Sequence, residues 1–117
     1  MKNISINQLH QFYTSPLGQR LLASPEVRRE WSFNLLLPSG TLLQGVIDCA
    51  FQEENHWILL DYKTDHGYSE SELISKYREQ LHWYTKALEQ LTHQPVVEQY
   101  IYSFSNHASY SIPQENQ

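Results

Sequence analysis

Cysteine is nearly absent: Cys49 is the only one in 117 residues. A single thiol excludes an intrachain disulfide framework, a cysteine-based zinc finger and a four-cysteine iron–sulfur cluster within the chain. A reducing, cytoplasmic setting is the expectation that follows. Positive charge is scarce as well, with 8 Lys+Arg against 13 Asp+Glu and a formal net charge of −5. That balance speaks against a protein that coats nucleic acid by charge alone, and it leaves room for an enzyme whose few carboxylates hold a metal. Long hydrophobic runs are missing. Stretches such as Ile58-Leu59-Leu60 fall far short of the ~20 residues a membrane helix needs, so no membrane contact is expected. Residues 1–8 carry one lysine and no apolar segment, so they do not read as a signal peptide. Internal repeats and low-complexity tracts are also lacking. What is present is 40% hydrophobic and 13% aromatic residues, enough to build the core of one domain of this length and to argue against general disorder.

Residues 1–25 read as an N-terminal helical segment. Ile6, Leu9, Phe12 and Tyr13 recur at helical intervals between Ser5 and Leu22, Ser15-Pro16-Leu17-Gly18 interrupts them, and Gln19 to Ala23 forms a second short turn. Ser24-Pro25 is a break. Glu30 to Leu37 then alternates as a strand. Pro38-Ser39-Gly40 has the length of a hairpin turn, and Thr41 to Phe51 returns as an antiparallel partner. Glu53-Glu54-Asn55 is a polar turn before a third strand, His56 to Lys63. That strand is apolar on both faces and therefore central. Ser69 or Ser71 is placed to cap a long amphipathic helix, with Glu70 and Glu72 in its first turn and Leu73, Tyr77, Leu81, Tyr84, Leu88 and Leu91 as its stripe. The helix ends before Pro95. Val97 to Phe104 is a fourth strand and Ala108 to Ile112 a short fifth; residues 113–117 are an expected frayed tail. The order predicts an α/β fold with a mixed sheet: a three-strand meander, a long helix and a further strand, flanked by helices.

Three groups carry the chemistry. Asp61 and Lys63 are two apart on one strand, so they share a face while Tyr62 points the other way. They end an apolar strand, where a charge must be paired or coordinated. Asp48, late in the preceding strand, can lie opposite Asp61. Two adjacent carboxylates repel and raise one pKa unless a cation sits between them. Mg²⁺ suits two carboxylate oxygens, a backbone carbonyl such as that of Tyr62, and waters, and Mn²⁺ is an acceptable substitute. A cation so held polarises a phosphodiester and acidifies a bound water, with Lys63 placed to orient that water or to neutralise charge. Read alone, the Asp-x-Lys triplet is better explained as an ordinary ion pair, because short motifs recur by chance; with Asp48 added, the two readings balance. Gln80 and Tyr84 are one helical turn apart on one face. Tyr84 is equally a core residue and Gln80 equally a solvated one, unless that face borders the metal.

Taken together, Gly45-Val46-Ile47-Asp48, Asp61-Tyr62-Lys63-Thr64-Asp65 and Gln80-Leu81-His82-Trp83-Tyr84 resemble the RecB-type nucleases of the PD-(D/E)XK superfamily, which carry a Gly-x-x-Asp strand, an Asp-Tyr-Lys-Thr strand end and a Gln-x-x-x-Tyr helix. The resemblance runs from about Glu30 to Phe104. The stretch from Phe12 to Leu21, followed by Arg29 to Phe33, looks most like the C-terminal nuclease domain of the AddA-type ATP-dependent helicase–nuclease, and extends the likeness over nearly the whole chain. It implies a restriction-endonuclease-like fold. It implies Asp48 and Asp61 as metal-binding acids together with the Tyr62 carbonyl, Lys63 as catalytic lysine, Gln80 and Tyr84 as an accessory motif, and Glu30 in the place of an upstream acid. It implies a Mg²⁺-dependent DNA exonuclease acting in double-strand break repair and recombination. Its partners would be DNA, the helicase portion of the same polypeptide and a second helicase–nuclease subunit.

The chain departs from the pattern. The superfamily's proline is replaced by Ile47, the cysteines of iron–sulfur relatives are absent, and no histidine matches the helix-borne metal ligand of this type. The surroundings of His10 do not resemble that motif. His56, His82, His93 and His107 read as surface residues; His66, near the site, stays open. The matching element is expected before Met1, which would make the chain a fragment of a longer protein. Two other readings remain: a non-catalytic interaction module built on a nuclease fold, and a stand-alone RecB-like exonuclease.

Overall fold

A computed structural model of the chain describes residues 4–113. Two short helices lead. α1 (Ile6–Thr14) is opened by a capping box in which the Ser5 hydroxyl accepts the Gln8 N–H while the Gln8 side chain accepts the Ser5 N–H. Ser15 ends α1 and caps α2 (Pro16–Ala23), with Pro16 in the first helical turn. The expected interruption is therefore a helix start: proline lacks the N–H that a first-turn residue does not need. The expected apolar stripe of α1 is buried only at its end. Phe12 is 1% exposed, but Ile6 is 84% exposed, because only the last turn reaches the sheet.

The sheet has five strands in the order β1-β2-β3-β4-β5: β1 (Val27–Leu36), β2 (Leu42–Glu53), β3 (His56–Lys63), β4 (Val96–Ser103) and β5 (Ala108–Ser111). β1 to β3 form the expected antiparallel meander. α3 (Glu70–Thr92) crosses over so that β4 lies parallel to β3, and β5 turns back antiparallel at the edge. β3 is central, as its two-sided apolar pattern predicts; Trp57 to Asp61 are all buried. This is a mixed α/β architecture of the restriction-endonuclease-like kind.

Two cores lie on opposite faces of the sheet. Under α1 and α2, Phe12, Leu17 and Leu21 pack on Cys49, Phe51, Ile58, Leu60, Tyr102 and Phe104. Under α3, Leu73, Leu81, Ala87 and Leu88 pack on Ala50, Trp57, Leu59, Ile101, Phe33 and Ile47. α3 begins with a capping box between Ser69 and Glu72 and ends at His93, whose left-handed φ of 59° turns the chain toward Pro95. Leu91, read as part of the buried stripe, is exposed in the last turn, where it borders an open cavity against β1 and β2. Residues 114–117 of the expected frayed tail lie outside the described residues. Among the described residues, no helix is long and apolar enough to cross a membrane.

Candidate active site

The site forms where β2 leaves β3. Pairing between these strands runs from Glu53–His56 to Cys49–Leu60 and stops there. Asp48 is the next residue of β2 and Asp61 the next of β3, so continuing the register sets them opposite each other. Asp48 Oδ2 accepts the Tyr62 N–H at 2.9 Å, taking a bond that a strand carbonyl would otherwise take. On its other side Asp48 drops out of the β1–β2 ladder together with Glu30: the pairs Arg29–Cys49 and Trp31–Ile47 flank them. Glu30 has a φ of 50°, a left-handed conformation rare for a glutamate. The two strands rotate together across this gap. Cys49 and Phe51 face α1 and α2, whereas Ile47, also odd-numbered, joins the core under α3. A paired irregularity thus keeps the register and turns the Asp48 side chain toward β3.

Asp61 is 2% exposed. Lys63 Nζ lies 2.9 Å from Asp61 Oδ2, but off the direction of a hydrogen bond, so Oδ2 has an ionic neighbour and no hydrogen-bond donor among the described residues. Burial raises the Asp61 pKa, the adjacent Asp48 side chain raises it further, and the Lys63 charge offsets part of that rise. The ordinary ion pair is therefore real, and a second carboxylate, Asp48, stands beside it. Backbone geometry adds a third oxygen. The Tyr62 N–H faces β2, while the Lys63 carbonyl faces β4 and accepts the Phe104 N–H. Because backbone groups alternate between strand edges, the Tyr62 carbonyl is turned toward β2, the side of Asp48.

α3 supplies the rest. Lys63 Nζ donates to Gln80 Oε1 at 3.3 Å, and Gln80 Nε2 donates to the Tyr84 hydroxyl at 2.8 Å. Neither Gln80 nor Tyr84 is merely solvated or merely core. The Tyr84 ring packs edge-on against Phe33 at 5.5 Å. Gly45 explains the fit: a Cβ there would come within 2.8 Å of the Phe33 ring and 3.3 Å of the Tyr84 ring. The glycine of Gly-x-x-Asp and the tyrosine of Gln-x-x-x-Tyr are thus in the same contact, so the two motifs, far apart in sequence, position one another.

Glu30 stands at the register position opposite Asp48, but its side chain is exposed. His66 is near this end of the sheet, where its ring Nδ1 and the Ser105 hydroxyl are 3.0 Å apart. His10 is on the exposed surface of α1. Among the described residues no three His, Cys, Asp or Glu side chains converge as a metal-binding group. Two residues escaped the sequence reading. Tyr77 sits with its ring 3.9 Å from Lys63 Nζ, and Asp65 accepts from the Tyr77 hydroxyl at 2.9 Å. Tyr77 was hidden in the apolar stripe, and Asp65 in a loop; the only signal for either is proximity to Lys63, in sequence or one helical turn before Gln80.

A family model described as the PD-(D/E)XK nuclease superfamily matches residues 4–115. The chain belongs to that superfamily. Among curated proteins, it is similar to an ATP-dependent helicase/nuclease subunit of Ruminiclostridium cellulolyticum, at 42% identity over 89% of this chain, and to that of a Thermoanaerobacter species, at 38% over 90%. The protein of the same name from Oceanobacillus iheyensis is 32% identical over 95% of this chain. In each case the match covers 10% of the relative, so the chain spans about a tenth of the length of the curated relatives it matches.

Proposed function

We propose that the chain is the nuclease module of a helicase–nuclease, hydrolysing phosphodiester bonds in DNA with a divalent cation, Mg²⁺ by preference. The observation that carries this reading is the meeting of two carboxylates and a lysine at the end of a central strand: buried Asp61 beside Asp48, with the Lys63 ammonium 2.9 Å from Asp61 Oδ2. Hard oxygens from Asp48, Asp61 and the Tyr62 carbonyl fit a Mg²⁺ ion, and Mn²⁺ would be accepted. When bound, the ion supplies positive charge to the scissile phosphate and acidifies a water. The protein's own groups do the positioning. Asp48 and Asp61 are held by opposite strands, and the Asp48–Tyr62 bond fixes their separation. Lys63 presents its ammonium to a phosphate oxygen or the attacking water, with one proton committed to Gln80, which Tyr84 anchors. The supporting residues are rigid elements of sheet and helix, which favours placement within a fraction of an ångström.

The relatives' name supports a nuclease joined to a helicase, and the resemblance to AddA-type proteins extends the proposal to a wider setting. In this reading the module acts on DNA held by a motor elsewhere in a much longer polypeptide, alongside a second subunit, in the cytoplasm, during double-strand break repair. A motor that grips the strand also accounts for an acidic module. One observation favours another reading: among the described residues only two carboxylates meet, without a third acidic, histidine or cysteine ligand. A fold with an incomplete site would serve as an interaction module. Calorimetric titration of the chain with Mg²⁺ and Mn²⁺ separates the two. Binding that disappears in Asp48→Ala supports the nuclease reading; no binding by the unsubstituted chain supports the module, or a site that draws a further ligand from the rest of a longer polypeptide.

A further inference from the structure

Lys63 sits in a cage of side chains, and only part of it belongs to the motifs already described. Asp61 and Gln80 bear on its ammonium from two directions. From a third, the Tyr77 ring approaches Nζ to 3.9 Å. This is well inside the ~6 Å at which a cation is attracted to an aromatic face. Tyr77 and Gln80 are three apart on α3, so one helical face supplies both contacts.

The Tyr77 ring is itself held. Its hydroxyl donates to Asp65 Oδ2 at 2.9 Å, and Lys76 Nζ donates to the same oxygen at 2.8 Å. Lys76 also lies 4.6 Å from the Tyr68 ring, and the Tyr68 carbonyl accepts from Asn106. Hydrogen bonding by Lys76, more than any other influence, keeps the Asp65 carboxyl below its ordinary range, so it stays a charged acceptor. Asp65 follows Lys63 by two residues, and the loop from Thr64 to Ser69 is therefore pinned to α3 at the point where the lysine leaves the strand.

We propose that Tyr77 is a positioning residue for Lys63, its ring forming the wall that directs the ammonium at Asp61 and Gln80, with Asp65 fixing the angle of that ring. A lysine carries considerable rotamer freedom, and a fixed aromatic wall removes the conformers that swing toward solvent. The role of Lys63 in cleavage rests on the function proposed above; the cage itself does not.

The test is the ring current. A methylene next to a charged group held over an aromatic face resonates upfield, so Lys63 Hε protons in the full chain are expected upfield of the random-coil position. Tyr77→Phe keeps the ring and should keep the displacement, diminished by loss of the Asp65 bond. Tyr77→Leu should abolish it while resonances of the opposite core stay in place. Asp65→Asn, outside the core, should move it part-way. Random-coil Lys63 Hε shifts in the unsubstituted chain, or an unchanged displacement in folded Tyr77→Leu, would overturn the proposal. If Tyr77→Leu does not fold, the unsubstituted chain and Asp65→Asn decide: displacement in the first that shrinks in the second supports it, and displacement unmoved by Asp65→Asn counts against it. DNA cleavage by the longer protein that survives Asp61→Ala, with the ring current of the unsubstituted chain intact, would refute the nuclease reading alone.

Discussion

On the face of the sheet under α1 and α2, Phe12, Leu17 and Leu21 meet Cys49, Phe51, Ile58, Leu60 and Tyr102 in apolar contact. On the face under α3, the same central strands continue into Asp61 and Lys63, and the helix answers with Gln80, Tyr77 and Tyr84. β3 supplies both: Ile58 and Leu60 to the first face, Leu59, Asp61 and Lys63 to the second. The first face gains stability from burial, roughly 25 cal/mol per Å² of apolar surface. The second gives up part of that gain by burying a carboxylate next to another carboxylate. The comparison teaches that the charged end of β3 is tolerated because the opposite face is fully packed, and it predicts that the two faces respond to different kinds of substitution.

The largest expected effect lies on the α3 face. Asp61→Ala should lower cleavage of linear DNA by the protein that carries this domain at least about a thousandfold, or ~4 kcal/mol of transition-state stabilisation. Its unfolding midpoint in urea without metal should fall modestly: Lys63 loses its buried carboxylate partner, while relief of the Asp48 repulsion and the remaining Gln80 and Tyr77 contacts offset part of that loss. Nucleotide release measured beside urea unfolding checks both halves. Cleavage that survives would remove Asp61 from the mechanism.

The opposite face should show the reverse. Leu21→Ala removes a side chain that is 1% exposed between α2 and the sheet. It should cost about 2–5 kcal/mol of folding stability, with Mg²⁺ affinity of the folded chain unchanged. A matched loss of metal affinity at temperatures where the variant is folded would show that the faces are not independent.

Gly45 lies where the comparison is sharpest, since its contacts join the sheet to the accessory helix. Gly45→Val must displace Phe33 or Tyr84. About 1–3 kcal/mol of overpacking is expected. Through Tyr84 and Gln80, cleavage should fall roughly tenfold to a hundredfold, as misplacement of supporting groups does elsewhere. A stability loss with undiminished cleavage would mean that Tyr84 does not support the site.

How much of this was legible follows from period. Strand alternation placed Asp61 and Lys63 on one face, and helical spacing placed Gln80 beside Tyr84, because those relations depend on backbone geometry alone. β3 itself ran from His56 to Lys63, as its apolar run predicted. Tyr77 was not legible as a site residue: an aromatic in an apolar stripe obeys the same period whether it fills a core or walls a lysine. The rotation at Glu30 and Asp48 had no signal, since the left-handed residue is a glutamate and not a glycine. Pro16 was misread because proline breaks a helix interior and opens a first turn equally well. The exposed half of α1 shows that amphipathicity gives the direction of a face but not the extent of what covers it.

The smallest effect returns to the α1–α2 side. Arg20 binds Glu53 at 2.7 Å and Glu98 at 3.0 Å, tying α2 to the sheet. The hydrogen bond from Arg20, foremost, holds the Glu98 carboxyl below its ordinary range. In the unfolded chain Glu98 titrates near its ordinary value of about 4.3. Its contribution is therefore present above that pH and is lost as the pH falls through the lower, folded value. The sign is opposite to that of Asp61, whose raised pKa favours folding in acid and loses that contribution as the pH rises. Because both partners are about one-third exposed, the Glu98 contribution should be below ~1 kcal/mol and should weaken with salt. Glu98→Gln should be slightly less stable than the parent at pH 7, and the gap should close below about pH 4. A gap that stays constant with pH, measured by urea unfolding at both values, would assign the contribution to packing of the Arg20 stem rather than to its charge.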